Sequence, residues 1–170
     1  SLNKKQVTLQ SETLAKDYDG VTFTNRLDQI SSFSVQYNIY PINAGTYQNT
    51  FEVANLSDTI NYDFTYIYGV LTITKKKATI TANSSTKEYD GTTNAPIANP
   101  PTVPNGFSIT PTGIANGDSV ELTYTSAVYN SKDVTSANKI TVSGLALSGA
   151  KAGNYTLSAT TVDIPASIND

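Results

Sequence analysis

The chain has 170 residues, eleven basic and fourteen acidic groups, a formal charge of −3, and no cysteine, histidine, methionine or tryptophan. Lacking histidine and cysteine, it has neither the side chain most used for proton transfer near neutral pH nor the soft and imidazole ligands of transition metals, which argues against nucleophilic triads and zinc sites. The run Lys75-Lys76-Lys77 is too short a basic cluster to track phosphates, and no stretch reaches the length of a membrane span, so neither nucleic acid nor membrane is an expected partner.

Apolar and polar residues alternate with period two almost throughout, which predicts strands rather than helices. In chain order the strands are expected at residues 6–10, 33–39, 47–53, 62–68, 70–74, 78–82, 120–124, 140–147, 155–159 and 162–168. Residues 11–16 are expected to form a single turn. Phe33, Val35, Tyr37 and Ile39 share one face against Ser34, Gln36 and Asn38, the pattern of half-buried antiparallel strands. Gly144 shifts the alternation from Ile140 and Val142 to Leu145 and Leu147, so a bulge is expected there. The proline-rich stretch 95–111, which contains Pro100 and Pro101, reads as a loop, because proline cannot donate to a central ladder.

The chain repeats itself. Lys4-Lys5 followed by Lys16-Asp17-Tyr18-Asp19-Gly20 returns as Lys76-Lys77 followed by Lys87-Glu88-Tyr89-Asp90-Gly91. Repetition of a domain-sized unit predicts two domains, residues 1–75 and 76–170, meeting at the lysine run. That link holds no glycine, proline or serine and is expected to be short and stiff. The opening Ser1-Leu2-Asn3-Lys4 lacks the layout of a signal peptide, and the chain reads as a piece of something longer.

Tyr18-Asp19-Gly20 and Tyr89-Asp90-Gly91 each set a large amphipathic ring before Asp-Gly, a dipeptide suited to tight turns because its backbone tolerates positive φ. Both rings are expected to be buried, locking the turn to the core. A calcium reading of Asp17, Asp19, Glu88 and Asp90 lacks the further regularly spaced ligands of a recognised loop, so no metal is expected. A second marker, Ala44-Gly45-Thr46-Tyr47, is echoed by Ala152-Gly153-Asn154-Tyr155, each a turn releasing a tyrosine-led strand. Asn61-Tyr62 is a competing counterpart, and the sequence leaves open whether Tyr155 matches Tyr47 or Tyr62.

Lys87-Glu-Tyr-Asp-Gly-Thr-Thr, Gly117-Asp118, Val142-Ser-Gly-Leu-Ala-Leu-Ser-Gly149 and Ala152-Gly-Asn-Tyr-Thr-Leu157 together make the second unit similar to the YDG repeats of bacterial surface proteins. The first unit, through Asn43-Ala-Gly-Thr-Tyr47 and Gly69-Val-Leu-Thr-Ile-Thr-Lys75, resembles the related MBG, or mostly-beta-glycine, repeats. Lys151 and Thr135 depart from the usual pattern, which has an acidic residue and a glycine there. The resemblance implies a segment of a Gram-positive, cell-wall-anchored adhesin of the kind found in lactobacilli, secreted to the cell surface, in which tandem repeats carry mucus adhesion or act as stalks.

The expected fold is all-β: two tandem immunoglobulin-like β-sandwich domains, with β-grasp-like units as the alternative. The expected function is non-catalytic attachment to host mucin or another glycoprotein, weak per unit and multivalent, with neighbouring repeats of the same chain as further partners. The alternative is a ligand-free stalk that projects a distal binding domain. An enzyme would need carboxylates paired in a cleft, whereas the acidic residues here are scattered, so neither a catalytic residue nor a cofactor is expected. Tyr62, Phe64, Tyr66 and Tyr68 line one face of a single strand, which reads first as the buried face of a sandwich. If the contact is instead with sugar rings, Tyr66 and Tyr68, with Pro100 and Pro101 in the proline-rich loop, are the candidates.

Overall fold

The computed structural model describes residues 3–24, 27, 31–96 and 106–170. The chain divides into two compact units, Ser1–Lys75 and Lys76–Asp170. The first runs β1 (Lys5–Gln10), β2 (Leu14–Asp17), β3 (Val35–Tyr37), β4 (Gly45–Gln48), β5 (Phe51–Val53), a 3-10 helix (Leu56–Ile60), β6 (Tyr62–Ile67) and β7 (Val70–Thr74). The second runs β8 (Lys76–Asn83), β9 (Ser85–Glu88), β10 (Ser108–Thr112), β11 (Glu121–Thr123), β12 (Ser126–Tyr129), β13 (Lys139–Ser143), β14 (Ala146–Ser148), a 3-10 helix (Ala152–Asn154), β15 (Tyr155–Leu157) and β16 (Thr161–Asn169). The fold is all-β, and the longest helix among the described residues has five residues.

In the first unit the sheets are β1-β6, β2-β7-β4 and β3-β5; in the second they are β10-β8-β15, β12-β13-β16-β9 and β11-β14. The core of the second unit lies between its two larger sheets: Ile109 from β10 with Ile80 and Ala82 from β8 meet Tyr129, Ile140, Val142, Ile164 and Ile168 from the four-stranded sheet. That is a β-sandwich, each sheet burying alternate side chains against the other. In the first unit Leu9, Phe51 and Val53 are buried with Val7, Val35, Phe64 and Tyr66 packed around them.

Four expectations are corrected. Residues 108–112 form β10, an edge strand on β8 with Pro111 opposite Ile80, so the stretch 95–111 is not a loop throughout; an edge strand tolerates the missing donor of a proline. Residues 14–17 form a strand rather than a turn, since their backbone groups are taken up by β7 in the register Leu14↔Leu71 to Asp17↔Thr74; a ladder partner outweighs the weak strand preference of Leu-Ala-Lys-Asp. The strands expected to be antiparallel are so, β3 with β5, β4 with β7 and β11 with β14, but other ladders are parallel. In each unit the two opening strands lie parallel to the two closing ones, β1 with β6, β2 with β7, β8 with β15 and β9 with β16. Gly144 is not a bulge: at φ +69° it turns the chain out of the sheet holding β13 and into β14, which pairs β11. Residues 47–53 likewise change sheets at Asn49, β4 pairing β7 and β5 pairing β3.

Candidate functional site

The repeated Lys-x-Tyr-Asp-Gly segments build one geometry twice. Gly20 and Gly91 both take φ +75°, the left-handed turn that glycine adopts without strain. Asp19 Oδ1 accepts from Val21 N–H at 2.9 Å and Asp90 Oδ1 from Thr92 N–H at 2.9 Å, so each aspartate folds back on its own turn. Lysine three residues earlier closes the turn: Lys16 Nζ donates to Asp19 Oδ1 at 2.9 Å and to Val21 O at 2.7 Å. Lys87 Nζ donates to Asp90 Oδ1 at 2.9 Å, Thr92 O at 3.0 Å and Asn94 O at 2.7 Å, which matches the three protons of the ammonium to three acceptors. Each ammonium also stands over an aromatic face, Lys16 over Phe23 at 5.2 Å and Lys87 over Tyr129 at 5.1 Å.

The lysine sets the electrostatics of the turn. Its hydrogen bond, then the backbone N–H and hydroxyl of Thr92, hold Asp90 at about 2 rather than 3.8. Asp19 is lowered for the same reasons, first by Lys16 and then by Val21 N–H. The Lys87 side chain is only 8% exposed. An ammonium so enclosed is tolerable because every proton has an acceptor. Sequence reasoning passed over Lys16 and Lys87 as site residues; the signal was their fixed place three residues before each aspartate.

Both tyrosines donate their backbone N–H to the closing strand, Tyr18 to Thr74 O at 2.8 Å and Tyr89 to Asn169 O at 2.9 Å. Their rings differ. Tyr18 is 2% exposed, as expected of a turn lock, but Tyr89 is 51% exposed, which corrects the expectation that both are buried. Identical turn chemistry fixes the backbone, and what packs over the ring decides its burial.

Tyr155 pairs with Lys76 as Tyr62 pairs with Lys5, each following a 3-10 helix. The counterpart of Tyr155 is therefore Tyr62 and not Tyr47, whose hydroxyl instead donates locally to Asn43 O at 2.8 Å. Tyr155 is buried; its hydroxyl donates to Asp118 at 2.6 Å and accepts from Ala115 N–H at 2.8 Å, latching the Gly117-Asp118 turn. Burial first, then the aspartate, raises its pKa. Gly153 lies in the 3-10 helix before it and Asn154 is buried at that helix's end.

Tyr66 and Tyr68 are partly committed to their own unit. Tyr66 Oη accepts from Val53 N–H at 3.1 Å, and Tyr68 Oη donates to Phe51 O at 3.3 Å. Both rings set an edge-to-face contact on Phe51, at 5.1 and 5.6 Å. Tyr68 is 36% exposed and Tyr66 less. Pro100 and Pro101 lie outside the described residues. More open apolar side chains are Tyr40 and Tyr89 and, on the first 3-10 helix, Leu56 and Ile60. Among the described residues no three acidic side chains gather as a metal cluster.

The YDG domain family model matches residues 74–162, just over half of the chain. No curated protein and no solved structure matches. The matched span holds the lysine-clamped turn at Tyr89-Asp90-Gly91 and the Tyr155 to Asp118 latch, and the chain belongs to the YDG domain family.

Proposed function

We propose that this chain is a non-catalytic repeat segment of a bacterial cell-surface adhesin, displayed outside the cell from a cell-wall-anchored protein and attaching weakly, unit by unit, to mucin or similar glycoproteins. The observation that carries the reading is the doubled unit: two sets of paired opening and closing strands, each with its own lysine-clamped turn, in a YDG domain chain. Repetition converts weak single contacts into avidity through effective concentration. Sugar rings would stack on exposed aromatic faces, and Tyr89, Tyr40 and Tyr68 offer those faces. The test is binding of the 170-residue chain, alone and as tandem copies, to immobilised mucin, beside a control with those three tyrosines replaced by serine. Tandem copies should bind far better than the single chain, and the control should lose the gain. Tandem copies that bind no better than the control leave the stalk reading, which the parallel pairing of each unit's terminal strands favours.

A further inference from the structure

In the first unit the chain enters along β1 at Lys5, beside Tyr62, and leaves along β7 at Thr74, beside Asp17. Between those points neither β1 folds back on β2 nor β6 on β7. The entering segment 5–17 and the leaving segment 62–74 therefore run side by side in one direction, crossing from one sheet to another together. Ser11 N–H donates to Ile67 O at 3.0 Å, Ser11 Oγ accepts from Gly69 N–H at 2.9 Å, and Thr13 Oγ1 accepts from Val70 N–H at 3.1 Å, so the pairing continues through the crossing. Gly69 permits the approach: an added Cβ would stand 2.7 Å from Ser11 O and closer still to the Glu12 carbonyl. The second unit repeats the arrangement, Tyr155↔Lys76 to Leu157↔Ala78 and then Ala166↔Ser85 to Asn169↔Glu88, with Ser158 N–H on Ala78 O at 3.0 Å in between.

We propose that each unit is a shear clamp for tension along the chain. The opening and closing strands are zippered in parallel and end at opposite poles, so a pull on the two ends slides one strand past the other. The evenly spaced bonds of each parallel ladder are loaded together as the strands slide, and many must break in one event. Pulled from a single pole, the same bonds would open one after another. Ordinary antiparallel hairpins at the two ends would give only the second behaviour. The lysine-clamped turns sit where each opening strand ends, at Asp17 and Glu88, and anchor it against slipping. The inference rests on register alone, and it holds whether or not the segment also binds mucin.

The test is single-molecule stretching of the full chain between marker domains. Pulled end to end, it should release two steps somewhat shorter than about 250 and 320 Å, the extended lengths of units of 75 and 95 residues at roughly 3.4 Å each, less the span each folded unit already holds between its ends. The comparison uses Asn61→Cys, a unique thiol in a chain without cysteine, placed at the pole where β1 begins. Loading the first unit between its N-terminus and residue 61 should open it at about half the end-to-end force or less, because β1 then peels from β6 bond by bond. The same variant pulled by its two ends must keep the higher force, which shows that it is folded. Equal forces in the two geometries would overturn the clamp, and so would an end-to-end force below the peeling force.

Discussion

Tyr18 and Tyr89 occupy the same place in the same turn and have opposite surroundings, so they should respond differently to truncation. Tyr18→Ala removes a ring that is 2% exposed and should cost about 3–5 kcal/mol in the unfolding of its unit. Tyr89→Ala removes a ring half in solvent and should change stability by no more than about 0.5 kcal/mol. Equal losses in chemical denaturation would contradict that contrast. The lysine clamp is the sharper residue-scale feature. Asp90 has a folded pKa of about 2 against an ordinary 3.8, so its hydrogen bonds contribute fully above the ordinary value, and the contribution is lost as pH falls through about 2. Lys87→Met removes the largest cause, and carboxyl titration by NMR should find Asp90 moved up towards 3.8; a value still near 2 would show that Thr92 alone holds it. Both tripeptides, their turns and the burial of Tyr18 could be read from the sequence. The exposure of Tyr89 could not, because a local motif carries no record of which distant side chains cover it.

At the scale of elements, legibility followed pattern length. β7 falls at residues 70–74 as alternation predicts, and β6 and β8 lie within a few residues of expectation. β2, β9, β10 and β12 were missed. Pro111 disguised β10, which lies at a sheet edge. β2 and β9 are four-residue strands with lysine and acid in them, and their extension comes from parallel partners more than fifty residues away, which period-two logic does not see. The same blindness hid the parallel topology itself. Breaks within long apolar runs were half legible: Gly144 was marked as a disturbance, but whether a glycine bulges a ladder or diverts the chain to another sheet depends on where the second sheet lies. The crossing at Gly69 is the element-scale point most exposed to a small change. Gly69→Ala forces a methyl group against the Ser11 and Glu12 carbonyls and should destabilise the first unit by about 1–3 kcal/mol. Unfolding of the second unit, followed through a fluorescent label on an introduced cysteine there, should be unchanged. A loss in both units, or none in the first, would show that the crossing is not held as tightly as the Gly69 approach requires.

For the whole molecule, the question is whether the two compact units are also two folding units. Two hydrophobic clusters each lie on one side of Lys75: Leu9, Phe51 and Val53 with their neighbours on one, Phe107 through Ile168 on the other. Among the described residues every paired strand likewise finds its partner within its own unit, so neither needs the other to complete a ladder. Separate cores with no shared sheet are the condition for independent cooperative transitions. The fragments 1–75 and 76–170 should therefore each fold alone, and their separate denaturation curves should add to that of the intact chain. The first fragment is the more demanding case, because a unit of this size has little surface to bury and no disulfide to compensate. Its aromatic face supplies much of what it has: Phe33 meets Phe64 and Tyr62 edge-on at 5.0 Å, and Phe51 meets Tyr66 at 5.1 Å, contacts worth about 0.5–1.5 kcal/mol each beyond their area. Near-ultraviolet circular dichroism reports those tyrosines directly, and fragment 1–75 should keep the tyrosine signal that it contributes to the whole chain. A fragment that loses it, and regains it when 76–170 is added, would mean that the first unit depends on the second and that the repeat is not the unit of folding.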